Sequence, residues 1–282
     1  MVWMVLGGLF FSLLNTVARE LTLHLDPYQS QFLRYLFGLL VISPWVFRDG
    51  WRAYMPVNMA GQFWRGGVHT LALVLWFTAL PKIPLADMTA IGFTGPIFIM
   101  IGAAWFLGEP MRKDRWIAAI IGFSGVLVVV LPKMSGEGGW FNLVMLASSP
   151  VFAASFLITK ALTRYEKPGV IVLWQAITVS VLSLPMALPY WQMPTPMQWL
   201  GFAATGVLST LAHYCLTRAF ALADISATQS LRFLDLVWAS ILGWLVFGDV
   251  PSQWTWAGAL VILGSTVWIA RRESRRKTLA VL

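Results

Sequence analysis

The sequence predicts an all-α membrane protein in which ten transmembrane helices form two inverted five-helix repeats. The first observation is the composition, which is 58% hydrophobic and only 11% charged, against about 25% charged residues in a soluble domain. The second is a set of landmarks that recur at an offset of 140 or 141 residues: Gly108 and Gly248, Glu109 and Asp249, Trp116 and Trp256, Pro27 and Pro168, and Pro44 and Pro185. A repeat of this length holds several helices.

Five apolar runs make up the first half, and each approaches the roughly 20 residues that a membrane-spanning helix needs. They cover residues 2–18, 31–47, 60–80, 85–107 and 116–131. Turn-forming residues separate them at Asp26-Pro27, Arg48-Asp49-Gly50, Lys82-Ile83-Pro84 and Glu109-Pro110. Met1 leads directly into the first run without a basic segment, so we interpret that run as a retained helix rather than a signal peptide.

Five further runs make up the second half, over residues 140–161, 169–189, 198–220, 225–247 and 254–270. Their boundaries are Gly136-Glu137-Gly138-Gly139, Lys167-Pro168-Gly169, Pro194-Thr195-Pro196 and Asp249-Val250-Pro251. We therefore divide the chain into a first repeat at 1–133, a linker at 134–139 and a second repeat at 140–282, which ends in a basic cytoplasmic tail at 271–282.

Lysine and arginine residues in short loops indicate the orientation, because they favour the cytoplasmic side of a membrane. With ten helices, the side that holds both termini carries most of them: Arg48, Arg52, Arg112, Lys113, Arg115, Lys160, Arg164, Lys167, Arg218, Arg271, Arg272, Arg275, Arg276 and Lys277. The opposite side carries Arg19, Lys82 and Lys133. Both termini are therefore expected in the cytoplasm, and the lipid bilayer is the expected partner. Because the basic residues lie in short loops and in the tail, their distribution does not favour a nucleic-acid partner.

The odd number of helices in each repeat predicts that the second copy is inverted in the membrane relative to the first. Inverted repeats related by an axis in the membrane plane are typical of secondary transporters, which bind substrate near the midplane and expose it to each side by alternating access. A duplicated structural or receptor bundle is the alternative interpretation.

Several motifs resemble the EamA-type drug/metabolite transporter superfamily in its ten-helix form. They are Ala79-Leu80 to Pro84, Pro96, Gly108-Glu109-Pro110 and Gly125 in the first half, and Arg218-Ala219-Phe220, Gly248-Asp249-Val250-Pro251 and Gly258 to Gly264 in the second. The resemblance implies a bacterial inner-membrane exporter of amino acids or related metabolites. The many Trp and Phe residues look most similar to the aromatic-amino-acid exporter branch.

One departure from the family pattern concerns the fourth helix of each repeat, which often contains a proline. Pro96 is matched by Leu236, next to Asp235. We therefore expect the second copy to be less kinked than the first. Gly92, Gly95 and Pro96 can bend the fourth helix, and we interpret them as a gate or hinge; close packing is the alternative.

Arg232 and Asp235 are ionisable groups inside a predicted span, which makes them functional candidates. They lie three residues apart on one helical face. Arg232 could attract a substrate carboxylate, with Asp235 as its counter-ion or as a proton carrier. A structural pair that locks helices together is an equally good interpretation. In the first case Arg232→Ala abolishes transport of a carboxylate substrate in a protein that still inserts.

His69 and His213 lie deep in the third and eighth helices, which occupy equivalent places in the two repeats. Histidine changes charge near pH 7, so either residue could couple transport to protons; a hydrogen-bonded core histidine is the commoner case. Aromatic neighbours on these helices and on the ninth are candidates for lining the cavity, although most membrane aromatics face lipid or the core. They are Trp76, Tyr214 and Trp238.

Small polar residues follow one face of the first helix, with Ser12, Asn15 and Thr16 at helical spacing. Ser155 and Thr159 are their counterparts in the sixth. They either contact substrate or join helices. Arg34 could extend to the interface. Glu109 and Asp249 lie at helix ends and suit turn or capping roles.

No nucleotide-binding, zinc-protease or serine-hydrolase motif is present, and the single cysteine, Cys215, excludes a cysteine-based zinc cluster. We therefore predict no catalytic residue, no cofactor and no metal. An intramembrane enzyme that uses Asp235 and His213 and a channel-like facilitator are the rival functions, as is export of a different metabolite or drug. A monomer suffices for transport, although a homo-oligomer is compatible with the sequence.

Overall fold

The computed structural model describes residues 1–82, 91–133, 139–247, 250 and 252–279, and this part of the chain contains helices and no β-strand. The start of the predicted fourth span, most of the linker around Gly136, and Gly248, Asp249 and Pro251 lie outside the described residues. The α-helices are α1 Val2–Thr22, α2 Pro27–Asp49, α3 Met59–Ala79, α4 Gly95–Leu107, α5 Lys113–Val130, α6 Trp140–Leu162, α7 Pro168–Ala187, α8 Pro196–Leu222, α9 Ile225–Gln229, α10 Leu234–Phe247 and α11 Gln253–Leu279.

Among the described residues, five segments are long and apolar enough to cross a membrane: Val2–Thr22, Pro27–Asp49, Trp140–Leu162, Pro168–Tyr190 and Pro196–Leu222. Gly95–Leu107 is apolar but shorter. Helix α3 does not meet the same hydropathy criterion, because Gln62, Arg65 and His69 lie within it and all three are buried. Polar side chains within an apolar helix almost always face the interior of a helix bundle rather than lipid.

Capping side chains stabilise the starts of two helices at residues that were predicted to form turns, Asp26 and Thr195. The Asp26 carboxylate accepts hydrogen bonds from the backbone N–H groups of Tyr28 and Gln29 at 2.8 and 3.3 Å, and Pro27 occupies the first turn of α2. Thr195 and Gln198 form a reciprocal capping box at the start of α8. These caps satisfy backbone donors that a helix start otherwise leaves without partners.

The predicted fourth span is broken where Gly92, Gly95 and Pro96 were expected to bend it. Residues 91 and 92 are helical, 93 and 94 form a turn, and α4 begins at Gly95. Pro96 lies in the first turn of α4, where proline loses no intrahelical hydrogen bond.

The second copy was expected to be less kinked, but its predicted fourth helix is interrupted as well. Its ninth span consists of α9, a 3₁₀ turn at Ser230–Phe233 and α10. No proline is needed, because two side chains bond to the carbonyl of Ile225: the Thr228 hydroxyl at 2.7 Å and the Gln229 amide at 2.9 Å. Such side-chain bonds compete with the backbone pattern of an α-helix.

The two breaks meet in the structure. Phe93 lies in the first break and Phe233 in the second, 140 residues later, and their rings stack with centroids 6.0 Å apart. Phe233 is fully buried. The repeat therefore brings its two interrupted helices together at equivalent residues.

The last helix is longer than predicted, since α11 continues to Leu279 through most of the expected tail. Arginine, lysine and glutamate are good helix formers. The Arg272 guanidinium also forms an ion pair with Asp114 at 3.1 Å and lies over the ring of Trp268. These contacts attach the end of α11 to the start of α5.

Helix contacts between the two halves follow a symmetric pattern. Counting from the start of each half, α1 to α5 correspond to α6, α7, α8, α10 and α11. The α1–α8 contact then corresponds to the α6–α3 contact, and the α1–α10 contact to the α6–α4 contact. The α2–α7 and α5–α11 contacts each join two corresponding helices.

Contacts place both termini at one end of the bundle, which we call the termini end. Trp3 contacts Arg218 at the end of α8, with the guanidinium 5.8 Å from the ring centroid. Arg272 near the chain's other terminus pairs with Asp114. At the other end, which we call the far end, the side chain of Gln29 exchanges hydrogen bonds with the backbone of Gln192.

Candidate functional site

A buried group of polar side chains lies where helices of both halves meet. Its members, which we call the central cluster, are Tyr35, Arg65, His69, Ser155, Gln175 and His213. They come from α2, α3, α6, α7 and α8. Each is at most 5% exposed, so the group is shielded although its members are polar. Polar groups that are buried in this way normally form hydrogen bonds within the protein.

Arg65 anchors the central cluster. It is 1% exposed, and its guanidinium donates three hydrogen bonds: to the Thr159 hydroxyl at 2.5 Å, to the Ile171 carbonyl at 3.1 Å and to the Gln175 Oε1 at 2.6 Å. Residues of α6 and α7 therefore hold a cation that α3 carries. Because guanidinium is planar and has only donors, these three acceptors also fix its orientation.

A chain of hydrogen bonds runs from Gln175 to Ser155. The Gln175 amide donates to the Tyr35 hydroxyl at 3.3 Å. That hydroxyl lies 3.0 Å from His69 Nε2, and His69 Nδ1 lies 3.1 Å from the Ser155 hydroxyl. The chain passes through α7, α2, α3 and α6 and so joins both halves of the protein.

His213 packs beside this chain. Its ring centroid lies 5.9 Å from that of His69 and 6.1 Å from that of Tyr35. Its Nδ1 bonds to the backbone carbonyl of Ser209 at 2.8 Å. The two histidines, whose positions in the repeats differ by about one helical turn, thus meet at the centre of the bundle.

Phenylalanine rings enclose the two imidazoles. Phe11 of α1 lies 5.0 Å from the His213 ring, and Phe152 of α6 lies 5.4 Å from the His69 ring, both edge to face. Phe156 lies 6.3 Å from His69. The result is a site with apolar aromatic walls and a few oriented polar groups, which is the usual composition of a small-molecule site.

A second group of predicted residues lies between α1 and α10. The carboxylate of Asp235 lies directly against Gly8, and the Ser12 hydroxyl is 3.5 Å from the Asp235 carbonyl. Trp238 also approaches Gly8, and its indole N–H is buried without a partner among the described residues.

Arg232 connects this second group with the central cluster. Its guanidinium lies 5.1 Å from the centroid of Phe156, whose ring also contacts His69. Arg232 and Asp235 thus each have a neighbour outside their pair, on α6 and α1 respectively.

Three predicted residues are not members of the central cluster. Asn15 is exposed on α1. Tyr214 is exposed and packs edge to face on Trp3 at 6.3 Å. Trp76 packs against Phe77 and a buried cluster that includes Tyr35.

Sequence reasoning missed Arg65, Tyr35 and Gln175 as site residues. One signal was available, since Arg65 and His69 are four residues apart and must share a helical face. Arg34 also differs from expectation, because its guanidinium bonds to Gln31 at 2.7 Å and lies over the Tyr35 ring at 4.9 Å.

An ionic network joins helices at the termini end. Arg115 bonds to the Asp224 carboxylate at 2.9 Å and to the Ser226 hydroxyl at 2.8 Å. The Glu109 carboxylate accepts from the backbone N–H groups at the start of α9, so its predicted capping role is confirmed, with the cap on a helix of the other half. Lys160 donates to the carbonyls of Phe220 and Ala223 at 2.6 and 2.7 Å.

The far end contains an open cleft of about 490 Å³ between two loops. Its lining residues are Thr22, Leu23, His24, Leu25, Asp26, Pro189, Tyr190, Trp191 and Gln192. Side-chain bonds therefore link helices across the termini end, whereas the far end has an open cleft beside the hydrogen bonds between Gln29 and Gln192.

The sequence profile of the EamA-like transporter family matches residues 1–131 and again 139–271. The chain therefore belongs to the EamA-like transporter family. It is a membrane transporter of small molecules and not an enzyme.

Named relatives show which molecules related proteins carry. A riboflavin transporter of Rhizobium johnstonii is 34% identical over 98% of this chain and 92% of its own length. A riboflavin transporter of Vibrio cholerae is 30% identical over 98% of this chain and 94% of its own length. An S-adenosylmethionine uptake transporter of Rickettsia felis is 27% identical, with 97% and 92% covered. These names do not confirm the expected amino-acid export.

A solved crystal structure shares the fold. The TM-score is 0.84, and the match covers 98% of this chain and 97% of the other at 18% sequence identity. At that identity the likeness establishes the fold alone.

Proposed function

We propose that this protein is a secondary transporter that moves a planar heteroaromatic metabolite of the flavin type across the bacterial inner membrane by alternating access. The observation that carries this proposal is the central cluster, in which two imidazoles and a tyrosine hydroxyl lie between phenylalanine rings. Ring walls favour stacking with a flat substrate, and the few polar groups can orient it. The names of the two riboflavin-transporting relatives agree with this chemistry.

The proposed arrangement is that of two inverted repeats with the central cluster between them and both termini in the cytoplasm. The exchange symmetry of the helix contacts and the position of both termini at one end support it. Binding residues in this proposal are His69, His213 and Tyr35, with Arg232 near the cluster and the break at Gly92, Gly95 and Pro96 as a hinge.

Export of an aromatic amino acid is the competing function. Its support is the cationic side of the site, because Arg34 and Arg65 flank Tyr35 and a carboxylate would interact favourably with them. Arg65, however, already donates to three protein acceptors and is 1% exposed, which favours a structural role over recognition of a carboxylate.

A counterflow assay separates the two functions. Purified protein in proteoliposomes is loaded with unlabelled solute and diluted into labelled riboflavin or a labelled aromatic amino acid, at several pH gradients. We expect saturable riboflavin exchange that excess tryptophan does not inhibit. Saturable exchange of the amino acid with no riboflavin exchange would overturn the proposal, and unsaturable flux of both would indicate a channel.

A further inference from the structure

The hydrogen-bond partners of the two buried histidines show which ring nitrogens are occupied and which is open. Histidine in its neutral form donates from one ring nitrogen and accepts at the other. Which nitrogen does which is set by neighbours that can only donate or only accept. The central cluster contains one neighbour of each kind, Arg65 and the backbone carbonyl of Ser209.

Arg65 fixes the orientation of the Gln175 amide. Since a guanidinium can only donate, the Gln175 atom that faces it must be the amide oxygen, and the Gln175 amide N–H₂ then faces Tyr35 and donates to its hydroxyl oxygen. The Tyr35 hydroxyl in turn lies 3.0 Å from His69 Nε2.

His69 bonds to a hydroxyl group on each side of its ring. Its Nε2 faces Tyr35 at 3.0 Å and its Nδ1 faces Ser155 at 3.1 Å, and a hydroxyl can donate to or accept from either nitrogen. Both ring nitrogens are thus occupied by protein groups. His69 has no vacant hydrogen-bonding position for a substrate in this conformation.

His213 has a different outcome. Its Nδ1 faces the Ser209 carbonyl at 2.8 Å, which can only accept, so the proton is on Nδ1. Within the described part of the chain no hydrogen bond engages Nε2. His213 is only 5% exposed. Nε2 is not one of the fully buried atoms that lack a partner, so its free lone pair lies on the small part of the ring that stays accessible and can accept a hydrogen bond from a molecule that enters the site.

We propose that His213 Nε2 accepts a hydrogen bond from a ring N–H group of the transported substrate, while Phe11, Tyr35 and His69 contact the same imidazole from its other sides. This inference rests on the proposed function and narrows it: the substrate is a heteroaromatic molecule that presents an N–H donor in its ring plane. The imide N3–H of a flavin is such a donor. A carboxylate offers no donor and does not suit this position.

The test combines two ligands with two proteins. Transport of riboflavin and of N3-methylriboflavin, which lacks the imide proton, is measured in proteoliposomes with wild-type protein and with His213→Phe. We expect the wild-type KM for the methylated ligand to be at least tenfold higher than that for riboflavin. In His213→Phe the two KM values should agree within about twofold, because neither ligand can bond to the phenyl ring.

Matched controls separate hydrogen bonding from bulk. If the methyl group acts only by its size, the KM ratio persists in His213→Phe, and the proposal is overturned. His24→Phe, at an exposed histidine of the far end, should keep the wild-type ratio. Should His213→Phe fail to fold, His213→Gln takes its place and should retain part of the discrimination, since its amide oxygen can accept.

A measurement on the wild-type protein alone gives an independent readout. With ¹⁵N-labelled histidine, we expect riboflavin to shift the Nε2 resonance of His213 and N3-methylriboflavin to leave it in place. Transport of riboflavin without any difference between the two ligands would overturn this inference and leave the proposed function standing. Absence of riboflavin transport by the wild-type protein would overturn both.

Discussion

At the scale of single residues, the position of one buried cation organises the central cluster. Arg65 is held by acceptors on two helices of the other half, so it links the halves as well as orienting Gln175. The Arg65 guanidinium is almost completely shielded from solvent. Such a residue is expected to be a positioning group for Tyr35 and His69 rather than a group that moves with the substrate.

Replacing Arg65 tests this role. Arg65→Ala leaves Gln175 Oε1 without its partner, and an unsatisfied buried group costs about 1–3 kcal/mol. We expect a lower melting temperature in detergent and strongly reduced transport. Arg52→Ala, in an exposed loop, should change neither. A melting temperature equal to that of the wild type would show that Arg65 does not anchor the cluster.

Arg232 makes a contrasting prediction. The Arg232 guanidinium lies over the Phe156 ring, which also contacts His69. We therefore expect Arg232→Ala to reduce transport at least tenfold in a protein that still inserts and purifies. Arg232→Lys should retain part of the activity, since a lysine can keep the cation–ring contact. Wild-type rates for Arg232→Ala in proteoliposomes would rule out a role in transport.

The residue scale also shows what a linear sequence can predict about a site. His69, His213 and Ser155 were identified because polar residues are rare inside apolar helices. Tyr35 and Gln175 were not, since a tyrosine or glutamine becomes significant only through its partner. Gln175 and Arg65 are 110 residues apart, and no local pattern connects them.

At the scale of helices, the two interrupted spans form the most distinctive feature. The first break was predictable from its glycines and proline. The second was not, because it arises from Thr228 and Gln229 side chains that bond to one backbone carbonyl. A 3₁₀ turn within a long helix often marks a hinge. The stacked rings of Phe93 and Phe233 join the two breaks.

Truncating the buried ring tests the importance of this junction. Phe233 is fully buried, stacks on Phe93 and packs against Gly122. Phe233→Ala should lower the unfolding free energy by about 3–5 kcal/mol, as for other large-to-small core changes. Denaturant titration in detergent measures this. Phe106→Ala, at a ring that is 78% exposed, is the control; equal effects of the two changes would refute a structural role for the stacked pair.

At the scale of the whole molecule, the two ends of the bundle differ in chemistry. Arg115, Asp224, Glu109 and Lys160 join helices at the termini end. At offsets of 140 and 141 residues their sequence counterparts are Thr255, Pro84, Asp249 and Arg19, so the Arg115–Asp224 ion pair has no charged counterpart. The offset alone does not predict that this ion pair occurs in one half only.

Weakening the network should shift the conformational equilibrium. Asp224→Asn removes the charge opposite Arg115, which is 3% exposed, and we expect a loss of about 1 kcal/mol for this half-exposed pair. Distances between spin labels at Met111→Cys and Leu222→Cys, in a Cys215→Ser background, should broaden toward longer values. Asp49→Asn, whose exposed partner Arg48 is its sequence neighbour, is the matched control. An unchanged distribution in Asp224→Asn would show that the network does not hold this end closed.

We propose that a single buried site is reached from one side of the membrane at a time, and cysteine accessibility tests this directly. Ser209→Cys, beside His213 in a Cys215→Ser background, is treated with a membrane-impermeant thiol reagent from either side of sealed vesicles, with and without Asp224→Asn. We expect faster labelling from the far end in the parent protein, and in Asp224→Asn a gain from the termini end that is matched by a loss from the far end. Simultaneous rapid labelling from both sides, or a gain on one side with no loss on the other, would contradict it.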